Sequence, residues 1–123
     1  MKLIIAGSRD IHLTEETIKE LMEVSGLDYR DITEVVSGRC RGMDLCGEEF
    51  AEYIQVPVQP FPYKKELGKA GGPVRNREMA EYADALFIVH NGGNGSTSMM
   101  REMAKYLKKP IYEIKLKNYK GIK

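Results

Sequence analysis

Four short segments carry most of the groups in this chain that could grip an anion. They are Gly7-Ser8-Arg9-Asp10, Ser37-Gly38-Arg39-Cys40-Arg41-Gly42, the stretch from Lys64 to Arg77, and Asn91-Gly92-Gly93-Asn94-Gly95-Ser96-Thr97. Five of the seven arginines (Arg9, Arg39, Arg41, Arg75 and Arg77) and nine of the twelve glycines fall in or just beyond them. Glycine lets backbone N–H groups approach an anion closely, a helix N-terminus adds partial positive charge, and the guanidinium fork matches phosphate oxygens. The combination points to a phosphorylated small molecule, a nucleotide or a sugar phosphate. Neither G-x-x-x-x-G-K-[ST] nor G-x-G-x-x-G occurs, which disfavours a nucleotide triphosphatase and a standard dinucleotide fold. No cofactor is expected.

The elements between these segments place them together. Lys2 to Gly7 is a short apolar run ended by glycine, Ile32 to Ser37 a second, and Asp84 to His90 the clearest strand pattern in the chain. Val56 to Phe61 favours a strand but holds Pro57 and Pro60, so it belongs near an edge. Pro110 to Lys115 is the fifth strand. Helical spacing recurs from Thr14 to Val24, from Gly42 through Cys46, Phe50, Ala51 and Ile54, from Pro73 to Tyr82, and through Met100, Met103, Ala104 and Leu107. Strand alternating with helix predicts an α/β, Rossmann-like three-layer sandwich around a five-stranded, mainly parallel sheet. In such a sheet ligands bind beyond the C-terminal ends of the strands. That is the edge to which all four segments belong. The stretch from Pro62 to Gly72 reads as an irregular loop, either a lid over the site or a surface connector.

Composition limits the alternatives. The chain has 123 residues and a formal net charge of +1, from 19 Lys+Arg against 18 Asp+Glu, which gives no support to a broad nucleic-acid-coating surface. No run approaches the roughly 20 apolar residues of a membrane span, and a cytoplasmic protein is expected. Cys40 and Cys46, with only His12 and His90 as further soft ligands, form no zinc spacing, so no metal site is expected and the thiols read as reduced. The Met99, Met100 and Met103 cluster offers more apolar surface than one sheet face needs, which suggests a homodimer or higher homo-oligomer.

Several of these residues fall into a familiar arrangement. Gly7-Ser-Arg9, Ser37-Gly-x-x-x-Gly42-x-Asp44, Gly72-Pro-x-Arg75-Asn-Arg77-x-Met79 followed by Ala83-Asp84, and Gly92-x-x-Gly95-Ser-Thr97 together resemble the YspA-like branch of the SLOG superfamily. That superfamily includes the Lonely Guy phosphoribohydrolases and the DNA-processing protein A group. The resemblance covers about residues 2 to 116 and implies a single SLOG-like nucleotide-binding domain over 1–123; the four lysines of 115–123 mark a basic tail that is expected to fray. It also implies a nucleotide-derived ligand held by the glycine loops.

For hydrolysis the chain departs from the Lonely Guy pattern P-G-G-x-G-T-x-E-E, because Ser98 and Met99 stand where the two glutamates would be. Glu102, a turn further on, and Asp44 are the remaining catalytic candidates, with Asp44 equally suited to capping a helix. Gly92, Gly93, Gly95, Ser96 and Thr97 are assigned the phosphate cradle. Arg75 and Arg77 are the charge clamps, and Asn76 faces the ribose or base. Gly7, Ser8 and Arg9 form one wall, and Ser37, Gly38, Arg41 and Gly42 the floor. Three functions follow: a ligand-binding or sensing domain, a phosphoribohydrolase acting on nucleoside monophosphates, and single-stranded DNA binding. The last is weakened because only Tyr63 among the edge segments offers a stacking ring.

Overall fold

Successive strand side chains point to opposite faces of a sheet, and here both faces are apolar and both are covered. In the computed structural model, which describes residues 1–92 and 96–116, Leu3 and Ile5 of β1 (Lys2–Gly7) and Phe87 and Val89 of β4 (Ala85–His90) enter one core. Ile4 and Ala6 of β1 with Leu86 and Ile88 of β4 enter the other. The first core is closed by α1 (Glu15–Ser25) and α2 (Met43–Ile54) through Ile18, Met22, Met43, Cys46 and Phe50. The second is closed by α3 (Gly71–Tyr82) and α4 (Ser96–Tyr106) through Met79, Ala80, Met100 and Ala104. The result is a three-layer sandwich.

With β2 (Glu34–Ser37), β3 (Val58–Pro60) and β5 (Ile111–Lys115), the sheet has the order β3-β2-β1-β4-β5. Every neighbouring pair is parallel, where the sequence had suggested a mainly parallel sheet. The chain builds outward from β1 to β3, then returns to lay β4 against the other side of β1. The order therefore reverses between β1 and β4, and a crevice opens beyond their C-terminal ends.

Local chemistry sets the element boundaries. Thr14 caps α1 by accepting the Thr17 N–H at 3.2 Å, and Gly26 ends it in the left-handed region at φ 94°. Ile32 and Thr33 precede β2 rather than opening it, because Tyr29–Asp31 form a 3₁₀ turn capped by Asp28. The 62–72 segment is more ordered than the sequence suggested: Lys65–Ala70 is 3₁₀-helical with a kink at Gly68, and the Tyr63 hydroxyl donates to the Gly68 carbonyl. Helix α3 begins at Gly71, which still leaves Pro73 in the first turn, where N–H groups lack intrahelical acceptors. Lys115 closes β5, and Leu116 N–H donates to His90 O at 2.8 Å. The rest of the basic tail, 117–123, lies outside the described residues. Among the described residues no helix is long and apolar enough to cross a membrane.

Candidate functional site

Three loops meet at the reversal point because two glycines let backbones touch. A Cβ on Gly7 would lie 1.8 Å from Val89 O, so β1 and β4 can close at their ends only around glycine. Gly42, at φ 80°, occupies a conformation that side chains rarely adopt, and a Cβ there would come within 2.4 Å of Ser8 O. Ser8 is the joint. Its N–H donates to Val89 O at 3.1 Å, and its carbonyl accepts Met43 N–H at the start of α2 at 3.2 Å. Its hydroxyl donates to Asn91 Oδ1 at 3.1 Å and accepts Asn91 N–H at 3.2 Å. Asn91 in turn donates to both carboxylate oxygens of Asp10 at 3.0 Å.

Between these loops and α3 lies a small open cleft, with Arg9, Cys40, Asp44, Arg75 and Asn76 as its polar lining. Ala6, Met79 and Met100 supply an apolar side, and Gly7 leaves backbone at the surface. Its enclosed volume is only about 30 Å³, about a tenth of the roughly 300 Å³ at which small-molecule sites begin, so the cleft is a narrow floor open to solvent above.

Arg75 dominates the floor. It is 4 % exposed, yet among the described residues no carboxylate lies within 4.0 Å of its guanidinium; its partners are neutral. Nη1 donates to Gly38 O at 3.1 Å and to Cys40 Sγ at 3.4 Å, while Nε and Nη2 donate to Asn76 Oδ1 at 3.2 and 3.1 Å. Those bonds use at most four of the five guanidinium N–H groups. Buried cations are ordinarily neutralised. This one is hydrogen-bonded only to dipoles, and the Asp44 carboxyl in the same cleft acts on it from beyond 4.0 Å.

Asp44 is the acid of the cleft, 8 % exposed. Burial pushes its carboxyl up to about 6, against the pull of the Cys40 N–H and of Arg75; Glu48 adds to the rise and Arg9 opposes it. It does not cap α2, as the sequence allowed. Gly42 is the N-cap and makes no side-chain cap bond, while Asp44 Oδ2 accepts the Cys40 N–H at 3.3 Å and closes the loop before the helix.

The remaining candidates divide. Ser37 is fully buried, and its hydroxyl donates to Glu48 Oε2 at 2.7 Å and accepts the Arg39 N–H at 3.1 Å; it braces the floor from below. Gly38 contributes its carbonyl to Arg75, and Arg41 is exposed without lining the cleft. Arg77 points away, 65 % exposed and paired with Glu81 at 3.4 Å one turn along. Glu102 is 72 % exposed beside Lys105 and is not part of the cleft lining. Gly92, at φ 95°, donates its N–H to His90 Nδ1 at 3.1 Å. Gly93 and Gly95 lie outside the described residues, as do the side chains of Ser96 and Thr97, whose backbone opens α4.

Two residues were missed from the sequence. Cys40 lines the cleft, and its signal was only its position between Arg39 and Arg41. His90 is 6 % exposed at the end of β4, where a polar residue closing an apolar strand was the available clue. Its Nε2 is 2.7 Å from Glu113 Oε2, and Glu113 is gripped by Arg101 at 2.8 and 2.9 Å. Because Nδ1 accepts from Gly92, Nε2 carries the proton toward Glu113. His90 thus anchors the first residue of the glycine loop to β5 and α4. Among the described residues, the side chains grouped closely enough to hold a metal are His12, Cys46 and Glu49, and they do not line the cleft. Comparison of the chain with family models, with curated proteins and with solved structures found no match.

Proposed function

We propose that this chain binds a nucleotide or nucleotide-derived phosphorylated ligand in the cleft beyond β1 and β4, as a ligand-binding or sensing domain. The observation that carries this reading is Arg75: a buried guanidinium with neutral partners and a donor to spare, at the strand-order reversal of a parallel sheet. Arg9 at the mouth adds a second cation, Asn76 offers a neutral amide, and the Met79–Met100 side suits an apolar base or sugar face. The resemblance to the YspA-like branch of the SLOG superfamily supports the same ligand class and implies phosphate contacts from the segment leading into α4.

The test is calorimetric titration with nucleoside monophosphates and ribose 5-phosphate, alongside mass spectrometry of small molecules released from the denatured protein. Binding by the wild type and a loss of about tenfold or more for Arg75→Lys, which keeps the charge but removes the fork, is the expected result. Binding by none of these ligands, or equal affinity in the variant, overturns the assignment.

A second reading, phosphoribohydrolase activity, is favoured by one feature, the carboxyl of Asp44 in the cleft. A carboxyl beside the glycosidic bond could protonate the leaving base or stabilise positive charge on the sugar. Release of free base from a monophosphate, abolished by Asp44→Asn and unaffected by Glu102→Ala, establishes it; absence of base release leaves the binding function alone.

A further inference from the structure

Beyond the cleft, the fold gathers a second set of reactive side chains that the sequence keeps far apart. His12 lies in the loop after β1, and Cys46 and Glu49 lie one turn apart on α2. Their imidazole nitrogen, sulfur and carboxylate oxygen all fall within 4.8 Å of one another. His12 Nε2 and Glu49 Oε1 are 3.3 Å apart. Two ligands at about 2.0–2.1 Å from a tetrahedral zinc ion are separated by about 3.3 Å. That distance alone would also describe an ion pair, but Cys46 adds a different kind of observation. Its sulfur lies fully buried beside the two half-exposed partners, accepts the Leu13 N–H at 3.3 Å, and as a thiol donates weakly to Ile11 O at 3.9 Å, a proton that metal binding would displace. An N–H directed at sulfur supports a thiolate ligand, as outer partners do for metal-bound groups.

We propose that His12, Cys46 and Glu49 form a Zn²⁺ site with a fourth position open to water. One sulfur, one imidazole and one carboxylate match zinc and late first-row ions, and do not match the all-oxygen preference of Mg²⁺ or Ca²⁺. Charge balances: Zn²⁺ displaces the thiol proton of Cys46 to solvent, and the thiolate and the Glu49 carboxylate neutralise the ion while His12 binds as the neutral ring. The bound ion ties the loop after β1 to α2. His12 follows Arg9 by three residues and Cys46 follows Asp44 by two, so the ion fastens two walls of the cleft from outside it. The site stands independently of what the cleft binds.

The test uses the whole chain, reduced and stripped with chelator, titrated with Co²⁺ as the probe and then with Zn²⁺. The expected result is one equivalent of cobalt giving a thiolate charge-transfer band and the intense visible bands of four-coordination, both removed by Zn²⁺. His12→Ala and Glu49→Gln, at positions outside the core, should each weaken binding at least about tenfold, and Cys46→Ser should remove the charge-transfer band. Should Cys46→Ser not fold, the other two variants carry the decision. No thiolate band, bands indifferent to His12→Ala and Glu49→Gln, or a band lost in Cys40→Ser instead would each overturn the proposal.

Discussion

Replacing Asp44 with Asn preserves the side-chain shape and one oxygen to accept the Cys40 N–H, removes the charge, and puts an NH2 donor in place of the second oxygen. The carboxyl is raised from 3.8 to about 6, chiefly by burial. At about 1.4 kcal/mol for each tenfold change in proton affinity, ionising Asp44 in the folded state costs about 3 kcal/mol relative to the unfolded chain. The sign follows from proton counting. Between the unfolded and folded values the native state binds more protons, so this contribution to stability is present below about pH 4 and is lost as pH rises through about 6. Asp44→Asn does not titrate, and its stability relative to wild type should therefore improve with pH, by about 2 kcal/mol between pH 4.5 and pH 7.5. Urea unfolding followed by circular dichroism at the two pH values, in chelator, measures this difference directly, and any pH-independent effect of the substitution cancels. A gain at neutral pH together with weaker ligand binding would mark Asp44 as a charge retained for function at the expense of stability. The reasoning is refuted if the stability difference is the same at both pH values, or if the substitution is more harmful at pH 7.5. The first result would show that burial does not raise the Asp44 carboxyl, and the second would make Asp44 and Arg75 a structural ion pair and remove the argument for an open guanidinium.

Other positions give equally direct tests. Gly42→Ala forces a Cβ to within 2.4 Å of Ser8 O at φ 80°, and should destabilise by about 2 kcal/mol or more in chemical denaturation. Burial alone would raise the Glu113 carboxyl, but hydrogen bonds from Arg101 and His90 hold it below its usual 4.5. Its stabilisation is therefore present above that value and lost as pH falls through the lowered one, so the melting temperature of wild type should exceed that of Glu113→Gln at pH 7, with the gap shrinking toward pH 3. Arg77→Ala and Glu102→Ala remove solvated surface groups; both should leave stability within about 0.5 kcal/mol and ligand affinity unchanged by calorimetry.

The layered α/β fold was legible in the sequence because each element announces itself locally. A short continuous apolar run such as Ala85–His90, with aromatic and β-branched residues and too little length for a typical helix, reads as a strand buried on both faces, and the helices between such runs let neighbouring strands run parallel. The gathering of glycine and arginine at one edge followed from the same alternation. Helical phase already separates Arg75 and Asn76, which share a face with Met79 and Ala80, from Arg77, which shares one with Glu81; the motif hid that distinction by grouping adjacent letters. What no local pattern contained was strand order and the distances it creates. Only the return of the chain from β3 to β4 makes Ser8 a joint between Val89, Asn91 and Met43. Only burial, a property of the assembled layers, turns Asp44 from a plausible helix cap into a carboxyl raised to about 6, and Arg75 from a surface charge into a cation at the base of a cleft. His12 and Cys46, too distant in sequence to suggest a metal site, meet because packing depends on separation in space. The sequence determined which residues could do chemistry and on which edge most of them lie; tertiary structure decided which of them share a low-dielectric environment, where charge and hydrogen bonding act most strongly.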